Sequence, residues 1–212
     1  MTTRLVILLI GYLLGNIQTG YLLGRTRHMD IRQFGSGNSG ATNTLRVLGK
    51  KAGAIVFFGD FFKAFLPCLF VRILFFGGMG YLYMLYMGLG VVLGHNFPFY
   101  LGFRGGKGVA STAGIILALD FRIALACLVV FLLVVIVTRY VSLGSMAVMI
   151  AFMVLGNYYL SLSYSIRYLS ILKQLEFRLL LLFMGCLSIF MHRANIKRLL
   201  SGTESKLGSK SS

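Results

Sequence analysis

Gly94-His-Asn-Phe-Pro-Phe-Tyr-Leu-Gly-Phe-Arg-Gly-Gly-Lys-Gly108 is a polar, glycine-rich stretch set between two long hydrophobic runs. A segment of that kind joins membrane-embedded elements, and its residues suit it to hold an anion at the membrane surface. Gly102, Gly105, Gly106 and Gly108 can take φ > 0 and bring backbone N–H groups close to a ligand, while Arg104 and Lys107 supply positive charge. The run that follows, Val109 to Leu117, reads as a helix, so those N–H groups fall at a helix N-terminus, where the dipole favours an anion. The spacing is not that of a Walker A loop, since G-x-x-x-x-G-K-[ST] is absent and Val109 supplies no magnesium-binding hydroxyl.

Working outward from this stretch, the chain is too apolar for a soluble core. Of 212 residues, 58% are hydrophobic and mean hydropathy is +0.84, which places the protein in the membrane. The net charge of +16 does not point to nucleic acid, because Lys and Arg fall in the gaps between apolar runs and form no basic face interleaved with aromatics. Cys68, Cys127 and Cys186 lie within apolar runs without a short C-x-x-C spacing and read as small buried hydrophobes.

The runs predict an all-α integral membrane protein of about seven transmembrane helices: Leu5 to Gly24, Ala52 to Phe76, Gly77 to Gly94, Gly108 to Leu119, Ile123 to Thr138, Tyr140 to Tyr164 and Ser170 to Met191. Residues 1–204 form one domain and 205–212 a disordered tail. The fourth run is short for a crossing. Counting it and the fifth as two passes puts fourteen cations on one side and six on the other, the asymmetry expected if the N-terminus is outside and the C-terminus cytoplasmic. Asn16 and Gln18 should face the protein interior or the cytoplasmic mouth. Asp60 and Lys63 share a helical face and are expected to pair as structural glue within the membrane.

Two further polar segments fall on the same side as the glycine stretch. Gly35-Ser-Gly-Asn-Ser-Gly-Ala-Thr-Asn-Thr-Leu-Arg46 combines Gly35, Gly37 and Gly40 for close backbone approach with Ser36, Asn38, Thr42 and Asn43 for hydrogen bonds and Arg46 for bidentate phosphate pairing. The third, His192-Arg-Ala-Asn-Ile-Lys-Arg-Leu-Leu-Ser-Gly-Thr-Glu204, adds Arg193 and Arg198 to the cations of this face. His95 reads equally well as a histidine bonded to backbone at the interface and as a site residue. A three-histidine metal site has no supporting spacing, and no metal or other cofactor is expected.

Taken together, these three motifs resemble the signature motifs of the bacterial acyl phosphate:glycerol-3-phosphate acyltransferases, the PlsY family, in order and over nearly the whole chain. The resemblance implies transfer of a fatty acyl group from acyl phosphate to the 1-hydroxyl of glycerol 3-phosphate, in the bacterial cytoplasmic membrane. The enzyme that makes acyl phosphate is the candidate protein partner. It implies Lys107, His192 and Ser36 as catalytic residues, with Gly37, Asn38, Gly40, Thr42, Asn43, Arg46, His95, Arg104, Gly105, Gly106, Gly108 and Asn195 binding substrate and Glu204 anchoring the tail. Arg104 stands where that family usually has Lys, Ser111 where it has Thr, Ala64 where Gly often follows the lysine, and Asn16 and Gln18 where Ser and Pro are common. The competing reading is a small transporter or channel for phosphate-bearing metabolites. It is disfavoured by the absence of an internal repeat and by polar motifs gathered at one interface. A thioester-using acyltransferase is disfavoured because His28, His95 and His192 have no Asp five residues on.

Overall fold

The computed structural model describes residues 1–208, and among them every regular element is helical. The helices are α1 (Thr2–Gly15), α2 (Thr19–Arg25), α3 (Ala41–Leu48), α4 (Lys50–Leu74), α5 (Gly77–Asn96), α6 (Val109–Leu119), α7 (Phe121–Thr138), α8 (Val141–Leu162), α9 (Tyr164–Arg167), α10 (Ile171–Met191) and α11 (Arg193–Leu200). Six spans are long and apolar enough to cross a bilayer, α1 and α2 together making the first. The central one begins with α5, and 61% of its most apolar window is buried against the other helices; the corresponding share for α7 is 17%, so α7 lies at the lipid-facing edge.

The centre is held by glycine. Gly11 and Gly15 of α1 face Gly90 and Gly94 of α5, two small-x-x-x-small pairs on helices that run in the same direction. A Cβ on Gly15 would lie 2.2 Å from the Val91 carbonyl oxygen, and one on Gly94 would lie 2.1 Å from that of Tyr12. Backbone-to-backbone contact of this kind replaces the hydrophobic driving force that is missing in lipid.

The first span is not continuous, as its apolar run suggests, but opens between Gly15 and Thr19. Groups from other parts of the bundle pair with the opening. Gln18 donates to the His95 carbonyl at 2.9 Å, Tyr100 to that of Asn16 at 2.8 Å and Lys63 to that of Ile17 at 2.6 Å. Asn16 accepts from the Phe99 amide at 3.1 Å. Asn16 and Gln18 are thus buried, as expected, but as the hub of a broken helix.

The fourth and fifth runs are separate passes. α6 has 11 residues and extends only about 16 Å at 1.5 Å per residue. It still reaches the far end because it starts deep in the bundle. Ser111 donates to the Asp60 carbonyl, and Arg72 donates to the carbonyls of Ala118 and Leu119. α6 therefore runs beside α4 from Asp60 to Arg72, and the loop before it is sunk some way below Lys50. From there α7 returns to Arg139, which accepts from the Leu207 amide at 2.7 Å and donates to the Leu207 carbonyl at 3.0 Å. Residues 205–208 of the predicted tail are thus tied to the turn between α7 and α8, and its remainder, 209–212, lies outside the described residues.

Candidate active site

A cavity of about 150 Å³ opens at the end of the bundle where the three polar motifs meet. Each motif is positioned by its own local chemistry. In the first, Gly35 and Gly37 at φ +59° and +72° make a tight turn closed by Asn43. The Asn43 amide accepts from Ser36 N at 2.7 Å and Ser36 Oγ at 3.1 Å, and donates to the carbonyls of Ile31 and Phe34. Asn43 is therefore spent holding the loop, although it borders the cavity. Asn38 accepts from the Gly40 amide, which opens α3 and places Thr42 and Arg46 on the cavity wall. Gly37 lies outside the lining.

The second motif folds back on the end of α5. Gly106 N donates to the His95 carbonyl at 3.0 Å and Gly105 N to that of Asn96 at 3.1 Å. Gly108 sits in the left-handed region at φ +75° and starts α6, so the free amides of the first turn of α6 point toward the cavity edge formed by Gly108, Val109 and Ala110. Lys107 extends into the cavity and donates to Asn195 Oδ1. Arg104 does not join it. Its side chain is exposed, its carbonyl accepts from Arg32 at 3.2 Å, and the left-handed Gly102 and Phe103 before it turn it outward.

In the third motif, His192 and Asn195 are buried beside the cavity at the junction of α10 and α11. Glu204 accepts from Ser142 at 2.7 Å, Asn195 at 2.7 Å and Arg198 at 2.7 Å. A relay therefore runs from Glu204 through the Asn195 amide to the ammonium of Lys107. Burial pushes the Glu204 carboxyl up, but these hydrogen bonds outweigh it and hold it below the usual carboxylate range. Burial pushes the Lys107 ammonium down to about 8, with help from Arg198 and Arg46 and against the pull of Glu204. Burial likewise pushes His192 down to about 4, so its imidazole is neutral at neutral pH. Ser188 offers His192 Nδ1 only a carbonyl oxygen, at 2.8 Å, so Nδ1 carries the proton and Nε2 keeps its lone pair. Arg193 is exposed and lies over Phe190, away from the cavity.

The wall opposite is the expected Asp60–Lys63 pair, at 2.8 Å, with Thr19 donating to Asp60 and His95 within reach of both. Asp60 and His95 border the cavity, so the pair is a wall of the site as well as glue. Ser142 and Ser145 of α8 also line it; they sit in an apolar run with no local signal of a site. The polar cavity adjoins an apolar groove of about 170 Å³ along α6 and α7, and Phe57, Val109 and Phe131 border both.

A family model for glycerol-3-phosphate acyltransferase matches residues 5–202. The chain belongs to the glycerol-3-phosphate acyltransferase family. It is 44% identical over 212 residues to the glycerol-3-phosphate acyltransferase of Clostridioides difficile (strain 630), covering 97% of this chain and 96% of that one. Its identity to the Aquifex aeolicus (strain VF5) relative is 38%, covering 94% and 97%. Among solved structures it is similar to PlsY (YgiH), an integral membrane glycerol 3-phosphate acyltransferase, in its glycerol 3-phosphate form. There the TM-score is 0.84 and the identity 37%, over 97% of this chain and 96% of that one. For the form of the same protein with lysophosphatidic acid the TM-score is 0.80, over 97% and 95%. Membership in this family makes the chain an acyltransferase of phospholipid synthesis and sets aside the transporter reading.

Proposed function

We propose that this chain transfers a fatty acyl group from acyl phosphate to the 1-hydroxyl of glycerol 3-phosphate, releasing lysophosphatidic acid and phosphate. One observation carries the reading: a cationic, hydrogen-bonding chamber shares Phe57, Val109 and Phe131 with an apolar groove on the lipid side. Such a junction suits a donor whose headgroup is a phosphate and whose tail is a hydrocarbon. The phosphates of two substrates, each near −1.5 to −2 in charge, are held by Arg46, Lys107 and the amides that open α6.

Transfer is direct. The glycerol oxygen forms its bond to the acyl carbon, the bond from that carbon to the phosphate oxygen breaks, and the hydroxyl proton passes to a phosphate oxygen of the leaving group. A side-chain nucleophile is disfavoured, since the Ser36 hydroxyl donates to an amide rather than to a base. The His192 Nε2 lone pair accepts from the attacking hydroxyl and orients it, but an imidazole held near 4 is too weak a base to keep the proton. Lys107 and the α6 amides balance the charge that develops on the acyl oxygen and the leaving phosphate. The site-bearing end, rich in cations, faces the cytoplasm of a bacterial cell, where the enzyme that makes acyl phosphate can deliver the donor.

The test is purified protein in lipid nanodiscs given glycerol 3-phosphate with acyl phosphate, acyl-coenzyme A or acyl-carrier protein as alternative donors. Phosphate release matched by lysophosphatidic acid is expected with acyl phosphate alone. Equal rates with a thioester donor, or an acyl group trapped on Ser36, would overturn the reading.

A further inference from the structure

Arg72 stands at the end of the bundle remote from the cavity, and we infer that it is a positioning residue of the active site, acting through α6. By tying down the C-terminus of that short helix it fixes how far along α4 the amides of the first turn and the adjoining Lys107 stand. The inference rests on the function proposed above for what those groups do, but not for how they are held.

Both ends of a helix carry backbone groups that the helix cannot pair. Among the described residues no side chain caps the N-terminus of α6, where Gly108, Val109 and Ala110 border the cavity. The C-terminus is held instead. Arg72 Nη1 donates to the Ala118 carbonyl at 2.5 Å and to that of Leu119 at 3.2 Å. Between the two ends, α6 and α4 meet backbone to backbone: a Cβ on Gly114 would lie 2.4 Å from the Phe61 carbonyl oxygen and 3.0 Å from the Phe65 nitrogen. A glycine allows that approach but lodges no side chain in the facing helix, so this contact resists sliding weakly. Two polar pins set the register. Ser111 Oγ donates to the Asp60 carbonyl at 3.0 Å near the cavity, and Arg72 closes the far end.

The lengths agree with this division of labour. At 1.5 Å per residue α4 rises about 18 Å from Asp60 to Arg72, and α6 rises about 12 Å from Ser111 to Leu119. The two helices run in the same direction, and the arginine spans the remaining ~6 Å because side chains on a helix lean toward its N-terminus. The guanidinium is itself fixed. It lies 4.6 Å from the centre of the Tyr81 ring on α5, whose hydroxyl is 3.3 Å from that of Tyr159 on α8. α6 is thereby referenced to the central helix, and the other end of α5 carries the turn of Gly105 and Gly106. A slip of α6 would shift its amides and Lys107 against Arg46 and His192, which stand on other elements. Misplacement of about 1 Å from a distant change can cost about a hundredfold in rate.

Arg72→Met removes the donor and keeps an apolar stem. In nanodiscs it should lower kcat/KM about tenfold to a hundredfold, and Arg72→Lys, which keeps a donor near the carbonyls, should recover much of that loss. A control separates positioning from general loosening. Arg4→Met with Glu176→Gln removes a bidentate ion pair elsewhere in the bundle; it should lower the melting temperature and leave kcat/KM within about twofold. Hydrogen exchange in substrate-free protein adds a readout independent of the acyl donor: residues 105–112 should exchange faster in Arg72→Met and at the wild-type rate in the control pair. Tyr81→Leu, which removes the ring under the guanidinium and leaves the arginine, is the milder variant and should show the same pattern where Arg72→Met does not insert. Wild-type kinetics in Arg72→Met, or an equal loss in the control pair, would overturn the proposal. Unchanged exchange over 105–112 overturns it whatever the donor substrate proves to be.

Discussion

Raising the pH from 7 to 9 should strip the charge from Lys107 and from nothing else that faces the two phosphates. His192, held near 4, is already neutral at pH 7. The Lys107 ammonium loses its proton near 8 because burial and two neighbouring arginines disfavour the charged form, so activity that depends on it falls as pH rises. With a value of about 8, roughly nine-tenths of the enzyme is charged at pH 7 and a little under one-tenth at pH 9, a drop of about tenfold. The quantity to follow is kcat/KM, which reports groups of the free enzyme. Above pH 7 the substrate phosphates are largely past their second ionisation near 6 and add little to the slope. Initial rates of phosphate release at low concentrations of both substrates give the profile. Lys107→Arg, which cannot be deprotonated, should lose the alkaline limb even where altered geometry lowers the plateau. A profile flat to about pH 9.5 in the wild type, or a limb that survives in Lys107→Arg, would refute the assignment.

Other consequences can be measured in the same preparations. Arg46→Ala removes a charge-assisted bond to phosphate and should cost about 1.5–3 kcal/mol in kcat/KM with normal membrane insertion; unchanged kinetics would return Arg46 to the solvent-facing surface. Gly94→Val drives side-chain carbon into the Tyr12 carbonyl, and overpacking of about 1–3 kcal/mol or more should appear as a lower melting temperature in detergent. In a cysteine-free background, single cysteines at His28, Gly102 and Ser205, all exposed, should be labelled only from the cytoplasmic side; labelling of Ser205 from outside would reverse the orientation. Glu204→Gln exchanges an acceptor for a donor opposite Arg198 and should lower kcat through the loss of Lys107 alignment, leaving the helices inserted.

Much of this architecture is legible in the sequence. Apolar runs mark the spans because lipid demands them, and the fourteen-to-six division of cations separates α6 from α7 although α6 is too short to cross by itself. The break in the first span was not readable, because only Asn16 and Gln18 interrupt the run and the group that stabilises the opening, Lys63, lies 46 residues further on. Arg104, so near Lys107 in sequence, reads as a phosphate ligand, yet the left-handed Gly102 and Phe103 send it to solvent. Ser142 belongs to the site only because Glu204, 62 residues later, reaches back to it. Short polar helices such as α3 and α11 escape detection because neither is stable alone; each forms on the bundle that supports it.

The relay from Glu204 through Asn195 to Lys107 makes a residue well past the last membrane helix part of the site. A variant cut before Glu204 keeps every membrane helix, both glycine turns and both site histidines, but loses the carboxylate that fixes the Asn195 amide. Shortening the chain there should cost catalysis far more than membrane insertion.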